Sequence, residues 1–246
     1  MAGLVGKVAL VTGGSRGIGA AIAERLAADG ADVAITWVNA EHMAKSVVTE
    51  IESSGRRGLA IQADNGDATS VVTAVDQAVA ELGRIDILVN NAGVFSFGPV
   101  EQISIAELDR MLAVQVRGVF LATQAAVRHL GEGGRIINIG SGFAGRVPYG
   151  GVSLYTMAKS AVTGLTKALA RELGPRGITV NVVHPGSTDT DMNPLDGETA
   201  ELQRSYIALG RFATPSDVAA TVSHLAGDGG RHITGASIAV DGGFTV

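Results

Sequence analysis

The chain has 246 residues, of which 46% are hydrophobic and 17% charged, so it can bury one large core, and we expect a single domain. The formal net charge of −5 argues against nucleic acid and anionic membranes as partners. No apolar run approaches the ~18 residues of a membrane span, and the N-terminus lacks the layout of a signal peptide. The absence of cysteine excludes disulfides and thiolate metal sites, and we expect a cytoplasmic protein.

The first element is an apolar strand over residues 7–12, which leads into the loop GGSRGIG and an alanine-rich helix that stops at Gly30. Gly13, Gly17 and Gly19 let the backbone turn tightly and approach a pyrophosphate, whose charge a helix N-terminus favours. This order of strand, glycine loop and helix predicts a dinucleotide-binding unit. The alternative is a tight turn with no ligand.

The second strand, Asp32–Trp37, ends where a dinucleotide fold faces the adenosine ribose. An acidic residue there selects NAD, but this chain has Asn39 at that place and no carboxylate until Glu41. Arg16, inside the glycine loop, is placed to meet a 2′-phosphate. The sequence therefore predicts NADP(H) as the preferred cofactor, with NAD(H) as the second choice. A solvated surface charge is the other interpretation of Arg16.

Helical and strand patterns alternate along the rest of the chain. Helices are predicted over residues 40–54, 67–82, 104–129 and 216–226, and strands over 58–63, 85–90, 134–140, 178–183 and 237–242. This alternation predicts a doubly wound α/β fold with a parallel sheet. Asp64 and Asn90 lie just beyond strand ends, where such sheets bind ligands; turn chemistry explains them equally well.

Tyr155 and Lys159 stand four residues apart at the head of a predicted helix, so their side chains share one face. A nearby cation favours the phenolate, which a tyrosine needs in order to exchange protons near neutral pH. Ser141, upstream, supplies a third polar group. The alternative is an amphipathic helix with an exposed lysine and a half-buried tyrosine.

Five pieces together resemble one family, the short-chain dehydrogenases/reductases, and in particular its 3-oxoacyl-acyl carrier protein reductase-like members. The pieces, in order, are TGGSRGIG, Asp64, NNAG, the Tyr155–Lys159 pair and the Pro185–Gly186 turn. The resemblance spans nearly the whole chain. It implies a Rossmann-type sheet of about seven parallel strands in a three-layer α/β/α domain, assembled as a homotetramer or homodimer.

The resemblance also implies a role for individual residues. Tyr155 is expected to protonate the substrate oxygen, Ser141 to orient the carbonyl, and Lys159 to hold the nicotinamide ribose and lower the Tyr155 pKa. The expected cofactor-binding residues are Gly13, Ser15, Arg16, Gly17, Ile18, Gly19, Asn39, Asp64, Asn65, Asn90, Ala92, Gly93, Tyr155, Lys159, Pro185, Gly186 and Thr188.

Two positions depart from the family pattern. Gln115 stands where the fourth catalytic residue is usually Asn, whose helix distortion holds a water in the proton relay. Because Gln is the better helix former, we expect a regular helix, a displaced relay and reduced turnover. Ser141 precedes Tyr155 by fourteen positions instead of thirteen. Ser153 competes with it but is expected to point away from the Tyr155 face.

These observations predict an NADP(H)-dependent oxidoreductase that reduces a small ketone, with 3-oxoacyl thioesters among the candidates, or oxidises the alcohol. The alternative is a cofactor-binding sensor or scaffold with impaired catalysis. Residues 187–212 are expected to form a substrate lid, although a surface insertion fits equally well. The five histidines show no ligand spacing, so we expect no metal. An apolar substrate wall, or ordinary packing, accounts for Phe143, Val147, Tyr149, Met192, Leu195 and Tyr206.

Overall fold

The computed structural model describes residues 3–246, which form one sheet flanked by helices. The strands are β1 (Val8–Val11), β2 (Asp32–Trp37), β3 (Gly58–Gln62), β4 (Ile87–Asn90), β5 (Arg135–Ile139), β6 (Thr179–Pro185) and β7 (Ser237–Val240). The helices are α1 (Gly17–Ala28), α2 (Glu41–Ser53), α3 (Ala68–Leu82), α4 (Ile105–Leu112), α5 (Gly118–Ala126), α6 (Ser153–Leu173), α7 (Ala200–Ser205) and α8 (Pro215–Ala226).

The strand order is β3-β2-β1-β4-β5-β6-β7, and every neighbouring pair is parallel. The chain builds outward from β1 in one direction and from β4 in the other, so the order reverses between these two strands. In an open parallel sheet this reversal leaves a crevice at the carboxyl ends of the strands, where ligands bind. The predicted doubly wound α/β fold is confirmed.

Two buried apolar clusters cover the two faces of this sheet. Ala9 and Val11 of β1 belong to one cluster and Val8 and Leu10 to the other, because side chains alternate across a strand. Helices α1, α2 and α8 pack on the first face, and α3, α5 and the end of α6 on the second. The central strands are therefore apolar on both faces, as expected for a covered parallel sheet.

Helix boundaries follow local chemistry. Ser104 and Glu107 form the predicted capping box at the start of α4, and a second box joins Thr214 to Asp217 at α8. The predicted continuous helix over residues 104–129 is wrong in one respect. Between α4 and α5 the residues Ala113–Arg117 form a π-helical turn, which widens the helix by one residue.

Among residues 3–246, no helix combines the length and the apolar character that a bilayer crossing requires.

Candidate active site

The glycine loop between β1 and α1 forms a concave turn at the carboxyl edge of the sheet. Gly13 has φ of +64°, and a Cβ on it would lie 2.9 Å from Ala92 Cα, so a larger residue does not fit there. A Cβ on Gly19 would lie 2.3 Å from the Gly13 carbonyl oxygen. The two glycines thus bring the loop, the following helix and the segment after β4 into close contact.

The first turn of α1 is suited to an anion. Its N-cap residue, Arg16, makes no side-chain hydrogen bond to the helix, so the N–H groups of the first turn receive no acceptor from the cap. These N–H groups and the helix dipole favour a phosphate. The Arg16 side chain is 59% exposed, with Nη1 3.9 Å from Asp191 Oδ2, and Asn39 is also exposed at the end of β2.

The segment after β4 is tied to this loop by Asn91, which sequence reasoning did not single out. Asn91 Nδ2 donates to the carbonyl oxygens of Thr12 and Gly13, each at 3.0 Å. Thr12 Oγ1 in turn accepts from the backbone N–H groups of Asn91 and Ala92. The motif NNAG contained the signal, since the second Asn faces the glycine loop while the first faces the sheet.

Asn90, predicted to lie on the nicotinamide side, has its side chain buried between elements. Asn90 Nδ2 donates to Thr123 Oγ1 of α5 at 3.1 Å and to Asn138 Oδ1 of β5 at 2.8 Å. Asn138 Nδ2 continues the chain to Thr166 Oγ1 of α6 at 2.9 Å. The Asn90 side chain therefore joins β4 to β5 and α5, and the chain of hydrogen bonds continues to α6, while its place on the nicotinamide side stays a prediction.

Asp64, predicted on the adenine side, lies at the end of β3 with a half-buried carboxylate. It accepts from the Gly66 N–H at 2.8 Å and forms an ion pair with Arg110 at 3.0 Å. Partial burial raises its pKa, but the Gly66 hydrogen bond and Arg110 outweigh burial and leave the pKa below its usual value. Asp64 is therefore an ionised group at the crevice edge.

Tyr155 and Lys159 lie on one face of α6, close to Ser141 at the end of β5. The Ser141 side chain lies near enough to the Tyr155 phenol to act on its pKa, and Lys159 Nζ lies 5.7 Å from the centre of the Tyr155 ring. Ser153, the competing serine, is exposed at the first position of α6. The structure thus brings Ser141, Tyr155 and Lys159 together.

The pKa values of this pair follow burial. Burial raises the pKa of the Tyr155 phenol to about 12, Tyr149 adds to the rise, and the Ser141 hydrogen bond opposes it. Burial likewise lowers the pKa of Lys159 to about 8. The predicted lowering of the Tyr155 pKa is therefore reversed. Lys159 Nζ donates to the Ile139 carbonyl oxygen at 3.0 Å. The removal of the Tyr155 phenol from water therefore has the largest effect on the Tyr155 pKa.

Gln115 lies inside the π-helical turn, so the predicted regular helix is wrong. The turn is held from outside: Asn65 Nδ2 donates to the Val114 carbonyl oxygen at 2.7 Å. Gly118 permits this approach, since a Cβ on it would lie 2.4 Å from Asn65 Nδ2. The intrinsic helix preference of Gln is a few tenths of a kcal/mol, less than one buried hydrogen bond contributes.

The Gln115 side chain itself is buried beside the site. Its Nε2 donates to the Val94 carbonyl oxygen at 2.8 Å, whereas its Oε1 has no protein partner. A Cβ on Gly93 would lie 3.4 Å from Gln115 Oε1 and 3.6 Å from Lys159 Nζ. Gly93 thus stands between the two side chains and leaves the space in front of them open.

The turn after β6 closes the crevice on the other side. Thr188 Oγ1 donates to the Gly186 carbonyl oxygen at 3.1 Å, and a Cβ on Gly186 would lie 2.7 Å from Asp241 Cα. Segment 187–212 carries α7 and several half-exposed apolar side chains, including Met192 and Leu195. This segment reaches back to the glycine loop, because Thr190 would contact a Cβ on Gly17 at 3.3 Å.

Aromatic side chains surround the Tyr155 phenol ring. Phe95 meets it edge to face at a centroid distance of 5.1 Å and Phe143 at 6.1 Å. Phe143 also contacts Tyr149 at 5.5 Å, and Tyr149 contacts Tyr206 at 6.0 Å. Three residues of the predicted apolar wall therefore form one connected cluster beside the phenol.

No metal-binding cluster accompanies these groups in residues 3–246, where no three His, Asp or Glu side chains gather closely enough to hold an ion.

Fold and site together define an α/β oxidoreductase of the Rossmann type, with its polar groups at the point where the strand order reverses. A family model described as enoyl-(acyl carrier protein) reductase matches residues 13–245. The chain belongs to the short-chain dehydrogenase/reductase family.

Known members of this family match over nearly their full lengths. A short-chain dehydrogenase from Burkholderia cenocepacia J2315, solved in complex with NADP, is 56% identical with a TM-score of 0.98, and the match covers 99% of this chain and 100% of that one. The 3-oxoacyl-[acyl-carrier-protein] reductase FabG of Staphylococcus aureus is 41% identical over 97% of this chain and 98% of its own. A cyclic-di-GMP-binding biofilm dispersal mediator protein of Escherichia coli is 39% identical over 99% of each chain.

Proposed function

We propose that the protein is an NADPH-dependent carbonyl reductase in which Tyr155 donates the proton to the substrate oxygen. The observation that carries this proposal is the group of Ser141, Tyr155 and Lys159 at the same sheet edge as the glycine loop, with Ser141 and Lys159 buried and Tyr155 partly buried. A protein that only binds a nucleotide has no need of a phenol aligned with a serine hydroxyl.

The glycine loop and its surroundings fit the cofactor. The uncapped N–H groups at the start of α1 would hold the phosphates, and Arg16 would meet the 2′-phosphate. Lys159 and Thr188 would face the nicotinamide side. When bound, NADPH would supply the hydride. The Burkholderia relative with NADP supports the same cofactor here.

The protonation states suit reduction. With a pKa raised to about 12, Tyr155 keeps its proton at neutral pH and is available as an acid. The Ser141 hydroxyl, beside the phenol, would orient the carbonyl oxygen toward it. Lys159, whose pKa is lowered to about 8, still carries most of its charge at pH 7 and would favour the phenolate as the proton leaves.

The substrate side of the crevice is apolar and aromatic. Phe95 and Phe143 flank the Tyr155 ring, and Val147, Met192 and Leu195 are each about half exposed. An uncharged ketone gains most from this lining. A 3-oxoacyl thioester remains among the substrates to test, because the FabG relative acts on that class. We assign residues 187–212 the role of the lid over this side of the single domain.

The decisive test follows NADPH absorbance with a panel of aromatic ketones, aliphatic ketones and 3-oxoacyl thioesters. We expect turnover with at least one class, and we expect Tyr155→Phe to lower kcat about 10²- to 10⁴-fold while the dissociation constant for NADPH changes less than about threefold. Ser160→Ala, which removes an exposed hydroxyl from the same helix, is the control and should keep the wild-type rate. A Tyr155→Phe variant as active as the wild type would refute the proposal.

The second candidate function is a cofactor-binding sensor with little turnover. Two observations favour it: the cyclic-di-GMP-binding relative and the presence of Gln115 at the position of the usual Asn. The structural reason for impaired catalysis is weak, because the π-helical turn forms with Gln115 in place. Tight NADPH binding without turnover across the whole panel would favour the sensor over the reductase.

A further inference from the structure

His184 lies on β6 behind the proposed reaction centre, and its side chain is 8% exposed. Its Nδ1 accepts the backbone N–H of Ser141 at 3.1 Å. A backbone N–H can only donate, so Nδ1 must be unprotonated. The imidazole is therefore neutral, with its proton on Nε2.

The strand beside His184 is shaped around the ring. A Cβ on Gly140 would lie 2.4 Å from His184 Nδ1 and 2.6 Å from Cε1, so any larger residue at 140 would displace the imidazole. The Gly140 N–H donates to the Val183 carbonyl oxygen at 2.7 Å. The ring is thus held against the last residues of β5 at the point where the chain leaves the sheet toward Ser141.

Ser141 connects this arrangement to the phenol. Its Oγ accepts the Phe143 N–H at 3.3 Å, and the side chain lies near enough to the Tyr155 phenol to act on its pKa. The Ser141 backbone is extended, with φ −162° and ψ 150°. Because the His184 hydrogen bond fixes the amide of this extended residue, it also fixes the direction in which the Ser141 hydroxyl points.

Two charges act on the His184 ring in opposite directions, Lys159 of α6 and Asp241 after β7. Helix α8 also packs against β6, and it carries Asp217, engaged in its capping box, and His224 in its last turn. Burial, first, and Lys159 lower the pKa of His184, whereas the backbone hydrogen bond with Ser141 and the charge of Asp241 raise it; the net direction is downward. Protonation would place an N–H on Nδ1 facing the Ser141 N–H, and the hydrogen bond would be lost.

We propose that His184 is a positioning residue: its neutral imidazole orients Ser141 for the reaction, and protonation of the ring at acid pH releases Ser141 and lowers turnover. The inference rests on the proposed carbonyl reduction. It concerns a residue that does not touch substrate or cofactor and acts through the Ser141 backbone.

The first test compares three variants by kcat and KM between about pH 5 and pH 8. His184→Leu removes the acceptor at similar size, and we expect kcat at pH 7.5 to fall about tenfold with KM changed less than about threefold. In His184→Asn, Oδ1 can accept the same N–H, so kcat should return to within about threefold and the acid decline should disappear. His129→Leu, on the far side of the molecule, is the matched control and should behave as wild type. A Leu variant with wild-type kcat and an unchanged acid decline would overturn the inference.

The second test uses NMR of the wild type and does not depend on turnover. We expect the ¹⁵N shifts of His184 to show an unprotonated Nδ1 and a protonated Nε2, and the Ser141 amide to lose exchange protection as the ring titrates. A proton on Nδ1 at pH 7.5 in an active enzyme would overturn this inference and leave the proposed function intact. The expected ring state in a protein that turns over no carbonyl compound would instead overturn the proposed function and, with it, the catalytic role of His184.

Discussion

Lys159 shows at the scale of one residue how function opposes stability. The residue is 6% exposed, its ammonium donates to the Ile139 carbonyl oxygen, and burial lowers its pKa to about 8. A lysine in this position is costly to bury in its charged form. In the proposed reaction, the protein keeps that charge where the Tyr155 phenol gives up a proton.

We therefore expect Lys159→Met to abolish most activity yet raise the free energy of unfolding at pH 7 by about 1–2 kcal/mol. The lowered pKa corresponds to roughly 3 kcal/mol of unfavourable burial, and loss of the Ile139 hydrogen bond offsets part of the gain. The measurement is urea unfolding of both proteins across pH.

The stability difference between the two proteins is expected to depend on pH. Below pH 8 both folded and unfolded wild-type chains are protonated, so the burial cost is present in full. Between pH 8 and about 10.5 the folded state loses its proton first, so wild-type stability rises and the advantage of the Met variant shrinks. Lys167→Met, an exposed position of the same helix, should show neither effect. A pH-independent difference would contradict this account.

At the scale of elements, the π-helical turn between α4 and α5 depends on contacts from another part of the chain. Its geometry does not come from residue 115 alone, since the Asn65 amide holds the Val114 carbonyl and Gly118 leaves room for Asn65. A residue that sequence reasoning placed among the cofactor contacts thus has its side chain in a structural role. The π-helical turn also positions Gln115 beside Val94 and beside the open space at Gly93.

Two substitutions separate these contributions. We expect Asn65→Leu, which removes the hydrogen bond to Val114 at similar size, to lower kcat about tenfold, because the turn relaxes and Gln115 moves. Gln115→Asn should change kcat less than about threefold, since the distorted turn already exists with Gln. Steady-state rates with NADPH saturating provide the comparison. A large rate increase in Gln115→Asn would restore the original expectation that Gln impairs the relay.

At the scale of the whole molecule, the two apolar clusters share the strands of one sheet. Loss of either helical layer would expose the central strands, so we propose that residues 3–246 unfold as one unit. The nucleotide crevice lies at the edge of that same sheet, which links cofactor binding to global stability.

We expect NADPH at one hundred times its dissociation constant to add about 2.7 kcal/mol to the free energy of unfolding, or roughly 5–10 °C in Tm for a chain of this size. NADH at the same concentration should shift Tm less, because Arg16 has no 2′-phosphate to meet. Arg16→Ala should bring the two shifts together. Scanning calorimetry of wild type and variant measures both, and equal shifts in the wild type would contradict the NADP preference.

Much of this site was predictable because it depends on short-range patterns. Residue type and spacing predict the glycine loop. The four-residue spacing of Tyr155 and Lys159 places them on one helix face. The roles of Asn65, Asn90 and His184 were not predictable in the same way. Each depends on a partner between 43 and 49 positions away, namely Val114, Asn138 and Ser141.

The sequence by itself determined the strand and helix order, the parallel sheet, the anion-binding loop and the pair on α6, because each follows from local periodicity and backbone freedom. Only the tertiary structure decided the direction of the Tyr155 pKa, the π-helical turn around Gln115 and the neutral state of His184. Those properties depend on burial and on single long-range hydrogen bonds, whose energies exceed the local preferences that a sequence displays.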